Sequence, residues 1–206
     1  MRRTLTLLLV VCAPLAALAG AITGRPIAAS EGAPDQPPVS AGAWNIDPSR
    51  SEVRFTVTKL GFSDVTGTFR ESEGMIRYDP ARPDASEIAW KVRAASVLTD
   101  ASDRDSALRG EPYFHTARHP FLVFASRTVR VNDRGGLDVT GDITIRGVTR
   151  PLTVTVRPVA TASGPAFETS FVVNRYDFGV VGGSVMGRLI GREIRVHLLA
   201  ATTTSR

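Results

Sequence analysis

Residues 141–151 read GDITIRGVTRP, and this stretch decides the fold. Ile143 and Ile145 alternate with polar residues, Gly147 interrupts the pattern, and a second alternation begins at Pro151. A two-residue alternation gives a strand with one apolar and one polar face. A glycine between two such runs marks a turn. The stretch therefore predicts one corner of an antiparallel β-meander.

Outward from this corner, the same alternation recurs along the chain. One apolar face is evident in Leu137–Ile145 and Leu152–Val156, and again in Val53–Val57 and Ile194–Ala200. About eight or nine short strands follow one another without alternating helices, which is typical of a sandwich or a closed barrel. We predict an antiparallel β-barrel of about eight strands, because closure gives every apolar face an interior and removes exposed edges.

One stretch departs from the strand pattern and predicts a short helical insert. Thr99 and Asp100 can cap a helix over residues 102–108. The strand that follows, Phe121–Ala125, is apolar on both faces, so its outer side needs a cover. We predict that Val123 faces inward and that the helix covers the outside.

The inward positions of the predicted strands are mainly apolar, and they offer few groups for polar chemistry. A barrel of about eight strands can hold one small ligand in its interior. The residues predicted to line such a cavity are Phe55, Val57, Phe69, Trp90, Val123, Ile143, Val154, Phe171 and Val196.

The N-terminus is typical of a secretory signal peptide, at residues 1–19. Arg2 and Arg3 precede an apolar run, Leu5–Leu18, that is too short for a permanent bilayer span. A small-residue cleavage pattern ends at Ala19. An uncleaved N-terminal anchor is the alternative. The signal peptide predicts a periplasmic or secreted protein.

Residues 20–42, rich in Pro, Ala, Gly and Ser, are predicted to be a disordered leader, and residues 43–206 the folded domain. The single cysteine, Cys12, leaves with the signal peptide, so the mature protein has neither a thiol nor a disulfide. Loss of Arg2 and Arg3 lowers the formal charge from +5 to +3. The remaining basic residues are scattered singly, which argues against a nucleic-acid partner.

Four blocks of sequence, in order, resemble the YceI-like family of secreted polyisoprenoid-binding proteins. They are WNIDPSRSEVRFTVTKLGFSDVTGTF (44–69), SVLTDASDRDSALRGEPYFHTARHPFLVFAS (96–126), GDITIRGVTRPLTV (141–154) and NRYDFGV (174–180). The resemblance implies an extended, lipocalin-like barrel whose long apolar cavity holds an isoprenoid chain of the quinone or polyprenyl kind, often in a dimer. Where many members have histidines, this chain has Lys59 and Ala107, so its contacts with a ligand head group are expected to differ.

Lys59 is the most interesting single residue, because its parity points it toward the cavity near a strand end. It either contacts a polar or phosphorylated head group at the barrel mouth or lays its stem on apolar surface while the ammonium reaches water. Arg104, Asp105 and Arg109 cluster with Asp103 in and after the helix. They either guard the cavity entrance or form a solvated, structural group that holds the helix to the barrel.

The histidines do not suggest a metal site. His115 and His119 have a spacing that suits a metal on a helix, but Pro112 and Pro120 disfavour a helix there and no third ligand is evident. His197 falls on an outward parity.

No catalytic constellation is recognisable in the sequence. It contains no nucleophile elbow, no candidate triad and no evident pair of catalytic carboxylates. Gly182, Gly183 and Gly187 indicate a flexible loop at a barrel end, which would serve as a lid. We therefore predict a non-enzymatic, exported carrier of an isoprenoid lipid without a cofactor. The alternatives are an accessory to an isoprenoid-lipid enzyme and a structural or stress-response module. Transient membrane contact and a homodimer are left open as partners.

Overall fold

The structure, a computed structural model, describes residues 41–162, 164–183 and 185–204. The predicted signal peptide and residues 20–40 of the predicted leader lie outside these ranges. The first strand begins at Gly42, next to the predicted domain boundary. Among the described residues, no helix has the length and apolar character needed to cross a membrane.

Strands make up most of the described chain. In chain order they are β1 (Gly42–Ile46), β2 (Glu52–Lys59), β3 (Ser63–Phe69), β4 (Ser72–Tyr78), β5 (Glu87–Arg93), β6 (Val97–Leu98), β7 (Phe121–Val131), β8 (Leu137–Ile145), β9 (Val148–Thr161), β10 (Gly164–Asn174) and β11 (Ile190–Thr204). The helices are α1 (Ser102–Arg109) and the single turn α2 (Met186–Leu189), and 3₁₀ turns cover Pro83–Ala85, Ala94–Ser96 and Arg175–Phe178.

Eight strands close into an antiparallel barrel in the order β1-β4-β5-β7-β8-β9-β10-β11, with β11 returning to β1. The remaining strands β2, β3 and β6 extend from β11 along the sheet. The length of β11 makes this possible, because Thr202–Thr204 pair with β1 while Ile190–Leu199 pair with β2. The predicted barrel of about eight strands is confirmed.

The corner at residues 141–151 is a hairpin between β8 and β9 with a two-residue turn. Arg146 and Gly147 both have left-handed backbone, with φ of 51° and 74°. Two left-handed residues in succession are typical of the type I′ turn, whose twist matches that of the flanking strands. Ile145 pairs directly with Val148, so β9 begins at Val148 and includes the predicted start at Pro151.

We call the barrel end that carries Lys59, Ile145 and Ile190 the upper end, and the opposite end the lower end. The lower end is solid core. Trp44 and Tyr78 pack their rings against Phe167, with centroid distances of 6.2 and 6.3 Å. Apolar side chains that fill the interior here contribute about 1.5–3 kcal/mol each on burial. The lower end is therefore closed by side chains.

Strand β7 has the opposite phase to the one predicted. Val123 pairs with Lys91 and its side chain is 39% exposed, whereas Leu122 and Phe124 pair with the buried residues of β5 and face inward. The predicted inward orientation of Val123 is wrong. In a strand that is apolar on both faces, the sequence does not indicate which alternate residues face the interior. Pairing with β5 decides it.

Cationic side chains of β5 cover part of the outer face of β7. Lys91 Nζ lies 4.0 Å from the centroid of the Phe121 ring, and the Arg93 guanidinium lies 5.4 Å from it. Helix α1 packs against β6 instead of covering β7. The predicted helix is confirmed at Ser102–Arg109, and the prediction of what it covers is wrong.

Candidate ligand-binding cavity

A lower cavity of about 130 Å³ occupies the middle of the barrel, and its wall is apolar except for Thr169. The strand pattern explains the wall, because alternate residues of each strand face the interior. Val123 adjoins this cavity from β7, although its side chain faces outward. The other predicted wall residues found here are Phe55, Phe69, Trp90, Ile143, Val154, Phe171 and Val196.

An upper cavity of about 440 Å³ lies above it, between the upper strand ends, α1 and the 3₁₀ turn Arg175–Phe178. The predicted wall residue Val57 lines this one. The two cavities adjoin, since they share the wall residues Phe55, Phe69, Leu122, Ile145, Val173 and Val196.

The combined cavity is long and narrow. Its wall along β11 runs from Ile190 in the upper cavity to Ala200 in the lower one. Between Ile190 and Ile194 the strand is irregular and four steps on β11 match two on β2, so the wall spans about eight strand positions, or about 26 Å at a rise of about 3.3 Å per residue. With a barrel tilt of about 40°, it corresponds to roughly 20 Å along the barrel axis. Such a space suits an extended hydrocarbon chain of several isoprene units.

Charged side chains enter the wall only in the upper cavity. Lys59, Arg104 and Arg175 line it together with one acid, Asp103. Lys59 is half-buried and forms no ion pair or hydrogen bond among the residues that the structure describes. Ala107, which the resemblance singled out together with Lys59, lines the same cavity.

Arg104 and Asp105 are joined through Thr99. The Arg104 Nε donates to Thr99 Oγ1 at 2.7 Å, and its Nη2 donates to the Thr99 carbonyl. Thr99 Oγ1 in turn donates to Asp105 Oδ1 at 2.5 Å, and the Asp105 side chain is buried. Thr99 therefore does not cap the helix as predicted. The N-cap is Ala101, without a side-chain cap bond.

Arg109 ties the end of α1 to β6 and to the 3₁₀ turn that precedes it. Its guanidinium donates to the carbonyls of Ala95 at 2.8 Å and Val97 at 2.9 Å. These bonds, like the burial of Asp105, fit the structural interpretation of the cluster. Arg104 both forms the hydrogen bond to Thr99 and lines the upper cavity. Contact of any of these side chains with a ligand stays a prediction.

Arg175 is a site residue that the sequence analysis did not single out. It is buried, and its guanidinium donates to four backbone carbonyls, those of Val180 (2.6 Å), Gly187 (2.5 Å), Gly191 (2.8 Å) and Ile190 (3.0 Å). These bonds hold the segment that was predicted to be a lid. The motif NRYDFGV was the only signal for it, since one arginine in a loop has no periodicity.

Arg146, at the opening hairpin, also binds backbone instead of solvent. Its Nη1 donates to the Gly179 carbonyl at 2.7 Å, and its Nη2 donates to the Glu111 carbonyl at 3.0 Å. The hairpin therefore joins the loop after α1 to the loop after the 3₁₀ turn Arg175–Phe178, and both loops contribute to the wall of the upper cavity. Arg150, on the first part of β9, is exposed.

The histidines lie apart from the cavity wall. The rings of His115 and His119 are 5.8 Å apart between centroids. Burial lowers the pKa of His119, with smaller contributions from Arg118, His115 and Arg146. His197 Nδ1 lies 3.1 Å from Ser170 Oγ. In the described part of the chain, no group of three or more His, Cys, Asp and Glu side chains could hold a metal ion.

A closed antiparallel barrel with an apolar interior and charged groups at one end defines a lipocalin-like β-barrel with an internal cavity. The profile of the YceI-like domain matches residues 44–201, and the chain belongs to the YceI-like family.

Curated relatives agree with this assignment. The chain is 31% identical over 134 residues to a UPF0312 protein of Azotobacter vinelandii and to Protein YceI of Escherichia coli O17:K52:H18. Each alignment covers 62% of this chain and 70% of the relative.

Solved structures share the fold. BcnA of Burkholderia cenocepacia superposes with a TM-score of 0.70 at 21% identity, over 76% of this chain and 99% of BcnA. A polyisoprenoid binding domain from Saccharophagus degradans, implicated in plant cell wall breakdown, superposes with a TM-score of 0.62 at 15% identity. That alignment covers 81% of this chain and 100% of the domain.

Proposed function

We propose that this chain is an exported binding protein that carries an amphiphilic isoprenoid lipid inside its barrel. The observation that carries the proposal is the continuous apolar cavity, closed at the lower end and lined by cationic groups at the upper end. The similarity in fold to a polyisoprenoid binding domain supports the choice of ligand class.

The chain of the ligand lies in the lower cavity in this proposal, and its head group lies in the upper cavity. Affinity then comes mainly from burial of the chain, at about 0.8 kcal/mol per buried CH₂. Selectivity comes from the cavity length and from the polar groups at the upper end, Lys59 and Arg104 among them.

The proposal describes a binding protein and includes no catalytic step or cofactor. The upper cavity holds basic groups, but each of the two arginines in its wall is already bonded to the protein, Arg104 to Thr99 and Arg175 to backbone carbonyls. Such groups position a ligand more readily than they transfer its protons. Export from the cytoplasm rests on the predicted signal peptide at residues 1–19.

Organic extraction of the purified protein, followed by mass spectrometry of the extract, tests the proposal. We expect a prenyl lipid to co-purify, or ubiquinone or undecaprenyl phosphate to bind with one-to-one stoichiometry when added from detergent. Protein that carries no prenyl lipid and takes up neither of these two would instead favour a structural or stress-response module.

A further inference from the structure

Five exposed apolar side chains lie at the upper end of the barrel, and we call them the apolar rim. They come from the β2–β3 hairpin and from the segment that precedes β11. Phe62 has the most exposed side chain of the group, at 82%. The apolar rim comprises Leu60, Phe62, Val181, Val185 and Leu189.

The apolar rim is continuous with the wall of the upper cavity. Leu60 follows Lys59 and Leu189 precedes Ile190, and both Lys59 and Ile190 line that cavity. The Leu60 N–H donates to the Leu189 carbonyl at 2.7 Å, which joins the hairpin to the segment before β11. The exposed apolar surface is therefore next to the end of the cavity that holds its charged groups.

The hairpin tip is poorly suited to water. Leu60 and Gly61 have φ of 56° and 79°, a pair of left-handed residues for which Asn and Gly are the usual choices. A leucine there accepts backbone strain and exposes apolar surface, and the exposed Phe62 follows it. Residues held in unfavourable backbone conformations are often found at functional positions.

We propose that the apolar rim docks the protein on a lipid bilayer, so that an isoprenoid passes between the bilayer and the upper cavity without crossing water. This inference rests on the proposed function, because the cargo must be a lipid. Lys59, beside the rim, and the exposed Arg192 are placed to attract anionic head groups.

The size of the apolar rim favours a bilayer over a protein partner. A stable protein interface uses about 20–30 residues on each side, whereas a few apolar side chains inserted among lipid head groups are enough for reversible membrane binding. A hairpin tip also presents its side chains at a point, which suits insertion.

Tryptophan placed at the rim reports on docking directly. Both native tryptophans, Trp44 and Trp90, are buried, so a new exposed indole stands out from them. We would compare Phe62→Trp with Val131→Trp, since Val131 is 53% exposed at the lower end of β7. The titrant is vesicles of phosphatidylglycerol and phosphatidylethanolamine in equal parts, added to protein purified as the host processes it.

We expect the emission of Phe62→Trp to shift to the blue with vesicles, while that of Val131→Trp does not shift. An absent shift at position 62, or equal shifts at both positions, would overturn the proposal. This readout is independent of isoprenoid binding, so it still decides docking if the proposed function fails.

A second comparison links docking to cargo. Phe62→Ser is expected to lower vesicle partitioning at least about tenfold, whereas Val131→Ser leaves it unchanged. The rate of ubiquinone uptake from vesicles should fall in parallel, while equilibrium binding of ubiquinone from detergent is retained. Uptake from vesicles at the wild-type rate by Phe62→Ser would contradict the inference. Failure of the wild-type protein to bind ubiquinone from detergent would count against the proposed function alone.

Discussion

Lys59 places an ammonium group in a cavity wall that is otherwise mostly apolar. It is half-buried and forms no ion pair within the described residues, whereas Arg104 and Arg175 in the same wall are held by the protein. Of these cations, Lys59 is therefore the one most able to turn toward an incoming anionic group. Its half-burial also allows the ammonium to reach water in the unliganded protein.

Lys59→Gln is expected to weaken binding of undecaprenyl phosphate about tenfold and to leave ubiquinone binding unchanged. A hydrogen bond between two charged groups contributes about 1.5–3 kcal/mol, and the neutral quinone does not form one. Dissociation constants from titration in detergent measure both. Lys91→Gln, on the outer face of β5, is the control. Equal loss of affinity for the two lipids, or no loss for either, would contradict a contact between the Lys59 ammonium and the phosphate group.

Part of the candidate site could be predicted from the sequence, because the residue pattern along each strand indicates which side chains face the interior. Alternation located most of the cavity wall, because an inward apolar position repeats at every second residue. The same rule gave Val123 the wrong phase, because Phe121–Ala125 is apolar throughout and only its pairing with β5 distinguishes the faces. Arg175 was missed because its role depends on four carbonyls brought together by the fold.

At the scale of elements, two hairpin glycines provide a matched test of the opening corner. Gly147, between β8 and β9, and Gly135, between β7 and β8, both have φ of 74°. A Cβ on Gly147 would lie 2.7 Å from the His119 ring, whereas a Cβ on Gly135 would meet nothing within 4 Å. The two positions therefore share the backbone requirement and differ in the space available.

Gly135→Ala is expected to lower the free energy of unfolding by about 1–2 kcal/mol, the cost of a left-handed non-glycine residue. Gly147→Ala should lower it further, because the His119 ring must also move. Chemical denaturation measures the free energy of unfolding of each variant, and the values are comparable when the variants have the same m-value. Equal destabilisation of the two variants would show that the contact with His119 is not a constraint.

The β1–β2 connection is held by a carboxylate. Asp47 accepts hydrogen bonds from Ser49 Oγ at 2.6 Å and from Arg50 Nε at 2.7 Å. These bonds lower the pKa of Asp47 from its ordinary 3.8 to about 2, and the bond from Ser49 has the largest effect. Arg50 also donates to the Thr202 carbonyl at 2.7 Å, so the turn is attached to the lower end of β11.

Because the pKa of Asp47 is lower in the folded state, its ionised form stabilises the fold above about pH 4, and this stabilisation is lost as the pH falls toward about 2. Asp47→Asn should therefore be less stable than the wild type at neutral pH, and the difference in stability should shrink as the pH falls from about 4 through about 2. Melting temperatures across this range measure the difference. A stability gap that stays constant down to pH 2 would contradict the role of the charge.

The architecture of the whole molecule is explained by the need to bury the apolar face of every strand. A chain whose strands each have one apolar face can bury all of those faces at once by closing a barrel. The lower end fills with large side chains such as Trp44 and Phe167, and the upper end is covered by α1 and the residues Arg175–Val180. The cavity is what remains between them, and its existence could not be read from alternation alone.

The fold class was predictable because it depends on periodicity and strand number, which local sequence records. The extension of β11 by β2, β3 and β6 was not, because it depends on one long strand serving two partners. The apolar rim was also missed, since exposure of Phe62 is a property of the closed barrel.

One measurement tests the central claim most directly: the amount of ubiquinone bound per protein after loading from detergent, determined by native mass spectrometry for Val173→Trp and Val172→Trp. Val173 lines both cavities, whereas the neighbouring Val172 has a side chain that is 52% exposed. We predict one bound ubiquinone in the wild type and in Val172→Trp, and none in a folded Val173→Trp. Undiminished binding by Val173→Trp, or no binding by the wild type, would contradict a chain-filled barrel.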